Sequence, residues 1–299
     1  MKTVTVRVPG STSNCGAGFD TLGLALQVYN SISLTPRETG IIKGSRECDT
    51  RAEPMVAAAV SEFAIWTKTE PPGVEFQIDG DVPPARGLGS SVTILAGVVA
   101  GLNRWAEDVL STDDMVRMVT KLEGHPDNAM AGVLGGFCVG RCGESAAEYI
   151  DAVRVEIPAS LKFIVVSPEV EISTKSSRGV LPSQITHLDA VRSVNSAAYL
   201  TAVFVAGDYS KLRNSVSDFL HEPYRMPGIK GARESIVAGI DAGALTGWLS
   251  GSGSSVLCVA EDAAADQVAE AMQATFREIG VQTESRVLAA DNRGLRIEV

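Results

Sequence analysis

Basic side chains are scarce in this chain and nowhere form a run: 26 lysines and arginines face 36 aspartates and glutamates, a formal net charge of −10 over 299 residues. A surface of that sign repels polyanions, so neither nucleic acid nor an anionic membrane is expected as a partner. Any anionic ligand must be held by a few placed arginines. Histidine is rarer still: His125, His187 and His221 are the only three, without an HExxH spacing, which leaves nothing to complete a tetrahedral zinc shell. The five cysteines (Cys15, Cys48, Cys138, Cys142, Cys258) are odd in number and lack CxxC spacing. The chain opens with the strand-like MKTVTVRV in place of an apolar signal segment, and the expectation is a cytoplasmic protein with reduced thiols. Long apolar runs are missing too. The most apolar stretch, Val92 to Leu102, is far shorter than the roughly 20 residues that cross a bilayer, and no internal repeat or low-complexity tract occurs.

What is present centres on Pro83 to Asn103. Arg86-Gly87-Leu88-Gly89-Ser90-Ser91 places two glycines where the backbone turns tightly, then two hydroxyls, then the apolar run. A helix over that run would be buried, and its N-terminus would aim unpaired N–H groups and the positive end of its dipole at the glycine loop. That composition suits a phosphate cradle. It is not a P-loop, since no lysine follows the glycines, nor a dinucleotide fingerprint, since Val92 stands where a third glycine is needed. Taken alone, it reads first as a glycine turn entering a core helix, since glycine turns are far commoner than nucleotide sites.

With 45% hydrophobic and 21% charged residues, the chain is long enough for two domains with separate cores. Val4, Val6 and Val8 alternate as a strand that stops at Pro9-Gly10, and Gly10 to Asp20 reads as a long strand-to-strand loop of the kind that carries function. Ala52 to Trp66 reads as a helix, Val74 to Ile78 as a strand, and Ser111-Thr-Asp-Asp114 as a capping box for a helix through Leu122. After strands near Gly136 to Gly140 and Tyr149 to Ile157, Pro158 marks the expected boundary between a domain of residues 1–157 and one of 158–299. The second half reads β-α-β-β-α-β, the ferredoxin-like order. Glu123-Gly-His125-Pro-Asp127-Asn128 gathers two acids, an imidazole and an amide; a solvated turn is its plain alternative.

Six stretches in order resemble the GHMP kinases, the group of galactokinase, mevalonate kinase and phosphomevalonate kinase. They are Val8 to Leu26, the loop Pro84 to Ser91, Glu123 to Asn128 with Gly135-Gly-Phe137, Ser173 to Arg178 with Val180-Leu-Pro182, Leu220 to Arg225, and Leu249 to Val256. Within the group the similarity is greatest to members that phosphorylate L-homoserine. The resemblance implies an α+β two-domain GHMP kinase fold, the N-terminal domain like ribosomal protein S5 domain 2 and the C-terminal one ferredoxin-like, with ATP and substrate in the cleft between. It implies ATP held by Pro84, Ala85, Arg86, Gly87, Leu88, Gly89, Ser90 and Ser91, and Mg²⁺ held by Ser91 and Glu123. It also implies Arg178 and Arg225 on the substrate carboxylate, Asp20 and Asp127 on its ammonium, Asn14, His125 and Thr174 as neutral hydrogen-bond partners, and Asn128 orienting the hydroxyl. No dedicated base is expected, because Asp127 would be occupied by the ammonium. A homodimer is suggested by the same resemblance. One departure is Asp49-Thr-Arg-Ala-Glu-Pro54, where the group usually has an asparagine near adenine. The alternatives are a GHMP-type kinase of another small alcohol, such as threonine or a mevalonate derivative, and an inactive small-molecule-binding relative.

Overall fold

The computed structural model describes residues 2–298. In chain order the elements are β1 (Val4–Ser13), β2 (Leu22–Arg37), β3 (Ile42–Gly44), α1 (Glu53–Thr67), β4 (Gly73–Gly80), α2 (Ser90–Trp105), α3 (Thr112–Glu123), α4 (Asp127–Leu134), β5 (Phe137–Cys142) and β6 (Tyr149–Val155). There follow β7 (Leu161–Pro168), α5 (Thr174–Gly179), α6 (His187–Ala206), α7 (Glu222–Arg225), α8 (Ala232–Asp241), β8 (Thr246–Leu249), β9 (Val256–Glu261), α9 (Ala265–Glu278), β10 (Thr283–Leu288) and β11 (Arg296–Glu298).

The first sheet is built on β2, which pairs antiparallel with β1 along one edge and with both β4 and β5 along the other. Helices α1 to α4 cover one face, burying Val6, Ile32, Leu34, Val74 and Phe76 against Val56, Leu95 and Val99. α2 can lie close on β2 because Gly97 has no side chain; a Cβ there would stand 2.4 Å from Ile32 Cγ1. The second sheet runs β10-β7-β9-β8, all antiparallel, which is the ferredoxin-like strand order 4-1-3-2. Its outer face is covered by α8 and α9 through Ile236, Val268, Met272 and Phe276. The two sheets share a core, in which Leu24, Leu26 and Phe137 pack with Phe163, Phe204 and Trp248. Truncating one of these large buried side chains should cost about 2–5 kcal/mol, and the shared core fixes the groove between the halves.

Two expectations and one alternative reading need correction. Gly10 to Ser13 are strand, not loop: β1 continues after a register shift at Pro9/Gly10 and pairs Gly10–Ser13 with Leu26–Gly23. Ser11, Thr12 and Ser13 are all buried and alternate between sheet faces, so hydroxyls occupy positions where a strand pattern shows apolar residues. The sequence around Asp127 is no solvated turn but the start of α4, with His125, Asp127 and Asn128 buried. Finally, β11 returns to pair with β1, so a division at residue 158 leaves the last strand with the wrong sheet.

Candidate active site

A cleft of about 210 Å³ lies between the halves, walled by the end of β1, the loop ahead of α2, the α3–α4 turn, and by α5, α7 and the β8–β9 loop. Gly87 and Gly89 hold φ of +72° and +68°, backbone that favours glycine. Gly89 is the N-cap of α2, and no side chain caps it. The first N–H groups of α2 are thus left to serve an anion in the cleft. The second half braces this loop: Ser250 Oγ donates to the Gly87 carbonyl at 2.7 Å, Ser255 N–H to that of Arg86 at 3.3 Å, and Ile172 N–H to that of Ala85 at 3.0 Å. Arg86 donates to the Pro168 carbonyl while lining the cleft. Leu88 does not face it; its side chain is buried between the sheets and its carbonyl accepts from Ser11 N–H. Pro84 lines a second cleft of about 1140 Å³, which adjoins the first at Ala85, Ser90 and Ser91.

Ser91 Oγ donates to Glu123 Oε1 at 2.7 Å. Neighbouring oxygens in an octahedral Mg²⁺ shell of 2.0–2.1 Å stand about 2.9 Å apart, so this oxygen pair fits that cation. Burial pushes the Glu123 carboxyl up from its ordinary value, against the opposing pull of the nearby His125 ring.

Asp20, His125 and Asp127 also converge, with ligand atoms within 4.8 Å of one another. Here the imidazole is itself the counter-ion. His125 Nδ1 and Asp127 Oδ1 are 2.6 Å apart. Burial disfavours the charged ring, but the neighbouring carboxylates of Asp127 and Glu123 outweigh that and raise it to about 9. His125 is therefore an imidazolium at neutral pH, not the neutral partner expected from the sequence, because folding buries it together with the acids two residues to either side. Burial alone would raise Asp127; the imidazolium and the Asn128 N–H, 2.8 Å from Oδ1, hold its carboxyl low instead.

A pH effect follows from His125. Its folded value, about 9, exceeds the ordinary 6.5, so its stabilising contribution is complete below about pH 6.5 and lost as pH rises through about 9. Thermal unfolding at about pH 7 and about pH 9.5 should show a drop in midpoint that is reduced in His125→Asn; equal drops in both proteins would place the titrating group elsewhere.

The charges expected to grip a zwitterion are unequal. Arg178 forms a two-pronged ion pair with Asp20, Nη1–Oδ2 at 3.0 Å and Nη2–Oδ1 at 2.6 Å. Arg225 is buried at 6% exposure and donates only to the carbonyls of Ser177 (3.2 Å) and Gly251 (3.3 Å) and towards His221 Nδ1 (3.4 Å). Burial and the nearby Arg178 pull its guanidinium down to about 10, which still leaves it charged at neutral pH. Among the described residues it pairs with no carboxylate, and its charge is available to a ligand. Asn14 donates to the Gly251 carbonyl at 3.1 Å and accepts from Asp20 N–H, also at 3.1 Å, so it ties the halves together. Thr174, at the start of α5, lines the cleft.

Asn128 is held on both sides by β1: Ser11 Oγ donates to its Oδ1 at 2.8 Å, and its Nδ2 donates to Ser13 Oγ at 3.1 Å. Those two serines were missed from the sequence, as were Phe19 and His221, which pack behind the arginines. The alternating hydroxyls at 11 and 13 were the readable signal for the serines. For Phe19 and His221 no local signal exists, since their roles depend on a contact between distant segments.

Comparison with known proteins agrees with this geometry. The profile of the GHMP kinases N terminal domain matches residues 54–136, and that of the GHMP kinases C terminal matches residues 200–278. The chain is 36% identical to a homoserine kinase of Moorella thermoacetica, covering 97% of this chain and 98% of that protein, and 34% identical to one of Trichormus variabilis, covering 98% of both. It superposes on the crystal structure of a homoserine kinase from Cytophaga hutchinsonii with a TM-score of 0.88 at 26% identity, covering 100% of this chain and 98% of that one. Both profiles fall on the halves that form the cleft and the similarity runs end to end, and the chain belongs to the GHMP kinases, in the family of the homoserine kinases.

Proposed function

We propose that the chain transfers the γ-phosphoryl group of ATP to the side-chain hydroxyl of L-homoserine, giving O-phospho-L-homoserine and ADP, a step toward threonine. The observation that carries this reading is Arg225, a buried cation without an anion, set beside the Arg178–Asp20 pair in a cleft that also holds the N-terminus of α2. A zwitterionic amino acid matches that pattern. Its carboxylate meets Arg225 and Arg178, its ammonium meets Asp20 and Asp127, and the internal Arg178–Asp20 pair is exchanged for pairs with the ligand at no change in charge. Thr174 and Asn14 complete the polar wall, and Asn128, fixed by Ser11 and Ser13, orients the hydroxyl.

Phosphoryl transfer asks mainly for positioning and for neutralisation of phosphate charge. The N–H groups of the loop from Arg86 to Ser91 and the His125 imidazolium supply positive potential on this chain's side. Mg²⁺ held by Ser91 and Glu123 would add charge neutralisation on the phosphates. The adenosine half of ATP is assigned to the second cleft, where both oxygens of Asp49 are taken by Arg46 and by backbone N–H groups, so that carboxylate does not read the base. Asp127 is a weak base while an imidazolium and an N–H hold its charge. The hydroxyl proton therefore leaves late, to phosphate or solvent, which a loose transition state permits.

An ADP-release assay over L-homoserine, threonine, serine and mevalonate tests the reading; comparable turnover of mevalonate, which has no ammonium, would replace it with a kinase of another alcohol. In the same assay, Ser91→Ala and Glu123→Gln should each lose on the order of tenfold or more at limiting Mg²⁺, and excess Mg²⁺ should restore part of it. Native rates for both at limiting Mg²⁺ would remove them from the metal site.

A further inference from the structure

His221 has no part in the reaction as described, yet it is fully buried behind the cleft. Its Nε2 lies 2.7 Å from the Gly16 carbonyl. A carbonyl only accepts, so Nε2 carries the proton and Nδ1 is the acceptor, which Arg225 Nη1 approaches to 3.4 Å. The ring also stacks on Phe19, centroids 5.4 Å apart and planes at 28°. Phe19 in turn stands against both arginines, with Arg178 Cζ 5.3 Å and Arg225 Cζ 5.1 Å from its ring centre. Asp218 is the nearest acid to Nε2, at 3.7 Å, but its oxygens accept the N–H groups of Leu220, His221 and Glu222.

These contacts join two segments more than 200 residues apart, the 16–20 turn that carries Asp20 and the helix that carries Arg225. We infer that His221, with Phe19 stacked on it, is a positioning residue for substrate recognition, setting the Arg225 fork and the Asp20 turn at the separation that fits the carboxylate and ammonium of one amino acid. The inference rests on the functional reading above. A neutral ring suits this role. It accepts from a guanidinium without neutralising it, so Arg225 keeps its charge for the ligand, whereas a carboxylate in the same place would consume that charge. Burial pushes the His221 ring below its ordinary value, consistent with that state.

Two variants separate the two links. His221→Asn keeps an acceptor near Nδ1 but cannot reach Gly16; His221→Gln reaches Gly16 but gives up the ring. Each is expected to raise KM for L-homoserine about tenfold or more, with kcat reduced less than about threefold and KM for ATP unchanged. In an Arg225→Met background, His221→Asn should add almost nothing, since the two act as one unit. A purely structural role would lower the active fraction and leave KM native, and that result would overturn the inference. Should neither His221 variant fold, Phe19→Leu leaves the buried ring in place and carries the same test: a raised KM for L-homoserine supports the role, and a native one refutes it. The outcome is distinguishable from failure of the functional reading, because that reading fails on the native chain alone if it does not phosphorylate L-homoserine.

Discussion

Gly87→Ala is expected to abolish measurable phosphoryl transfer and to lower the thermal midpoint by several degrees. Its φ is +72°, so an L side chain costs roughly 1–2 kcal/mol in backbone conformation alone. Its Cβ would lie 2.0 Å from the Ser250 carbonyl oxygen and 3.0 Å from Gly253 N. Those atoms are backbone, and the segment cannot give way cheaply: Ser250 N–H donates to the Ser255 carbonyl at 2.9 Å and Gly253 N–H to that of Ser250, also at 2.9 Å. Overpacking of this kind adds about 1–3 kcal/mol. The strain falls on the loop that presents its N–H groups to phosphate, so activity is lost before the fold is. Gly207→Ala is the control. It has φ +69° at the end of α6 with nothing within 4 Å, and should lose about 1 kcal/mol of stability with native kinetics. If the two variants behave alike in both assays, the contact with Ser250 does not position the phosphate loop.

Arg225→Met should lower kcat/KM for L-homoserine by roughly 30-fold to several thousand-fold, the equivalent of about 2–5 kcal/mol for a charge partner lost in a desolvated site. Arg178→Met should lose less, though still more than about tenfold, because Arg178 is already paired with Asp20 and its removal also frees that carboxylate for the ammonium. The double variant should lose less than the product of the two, since both forks grip one anion. ATP affinity should be unchanged throughout. Arg225→Met should also leave the thermal midpoint nearly native: the carbonyls of Ser177 and Gly251 lose a donor, but an unpaired buried charge is removed at the same time. Equal losses for the two single variants would contradict the inequality read from their ion pairing.

Much of this was legible in the sequence for definite physical reasons. The helix of α2 announces itself by a buried apolar run behind glycines, and α3 by Ser111 and Asp114, which do form a reciprocal cap. The second sheet follows from short apolar runs, such as Phe163 to Val166 and Val256 to Ala260, placed in the right order among the helices. What stayed hidden depends on partners far apart in the chain. Ser11 to Ser13 do not read as strand because their side chains are hydrogen-bonded to groups on distant elements: Asn128 for the two serines, Trp248 and Ser250 for Thr12. β11 is three residues that are strand only because β1 offers an edge, whereas the charge on His125 depends on its burial with the acids two residues to either side, which a local spacing does not reveal. For the site, residue types named the groups, but only the fold shows that Arg178 is engaged by Asp20 while Arg225 is free.

Recognition of both ends of an amino acid in this cleft is tested most directly by three specificity constants. They are those for L-homoserine, for 3-aminopropan-1-ol, which lacks the carboxylate, and for 4-hydroxybutanoate, which lacks the ammonium. Each analogue should be at least about 100-fold poorer than L-homoserine, and Arg225→Met should further depress 4-hydroxybutanoate while leaving 3-aminopropan-1-ol almost unaffected. Phosphorylation of either analogue as readily as L-homoserine would contradict two-ended recognition.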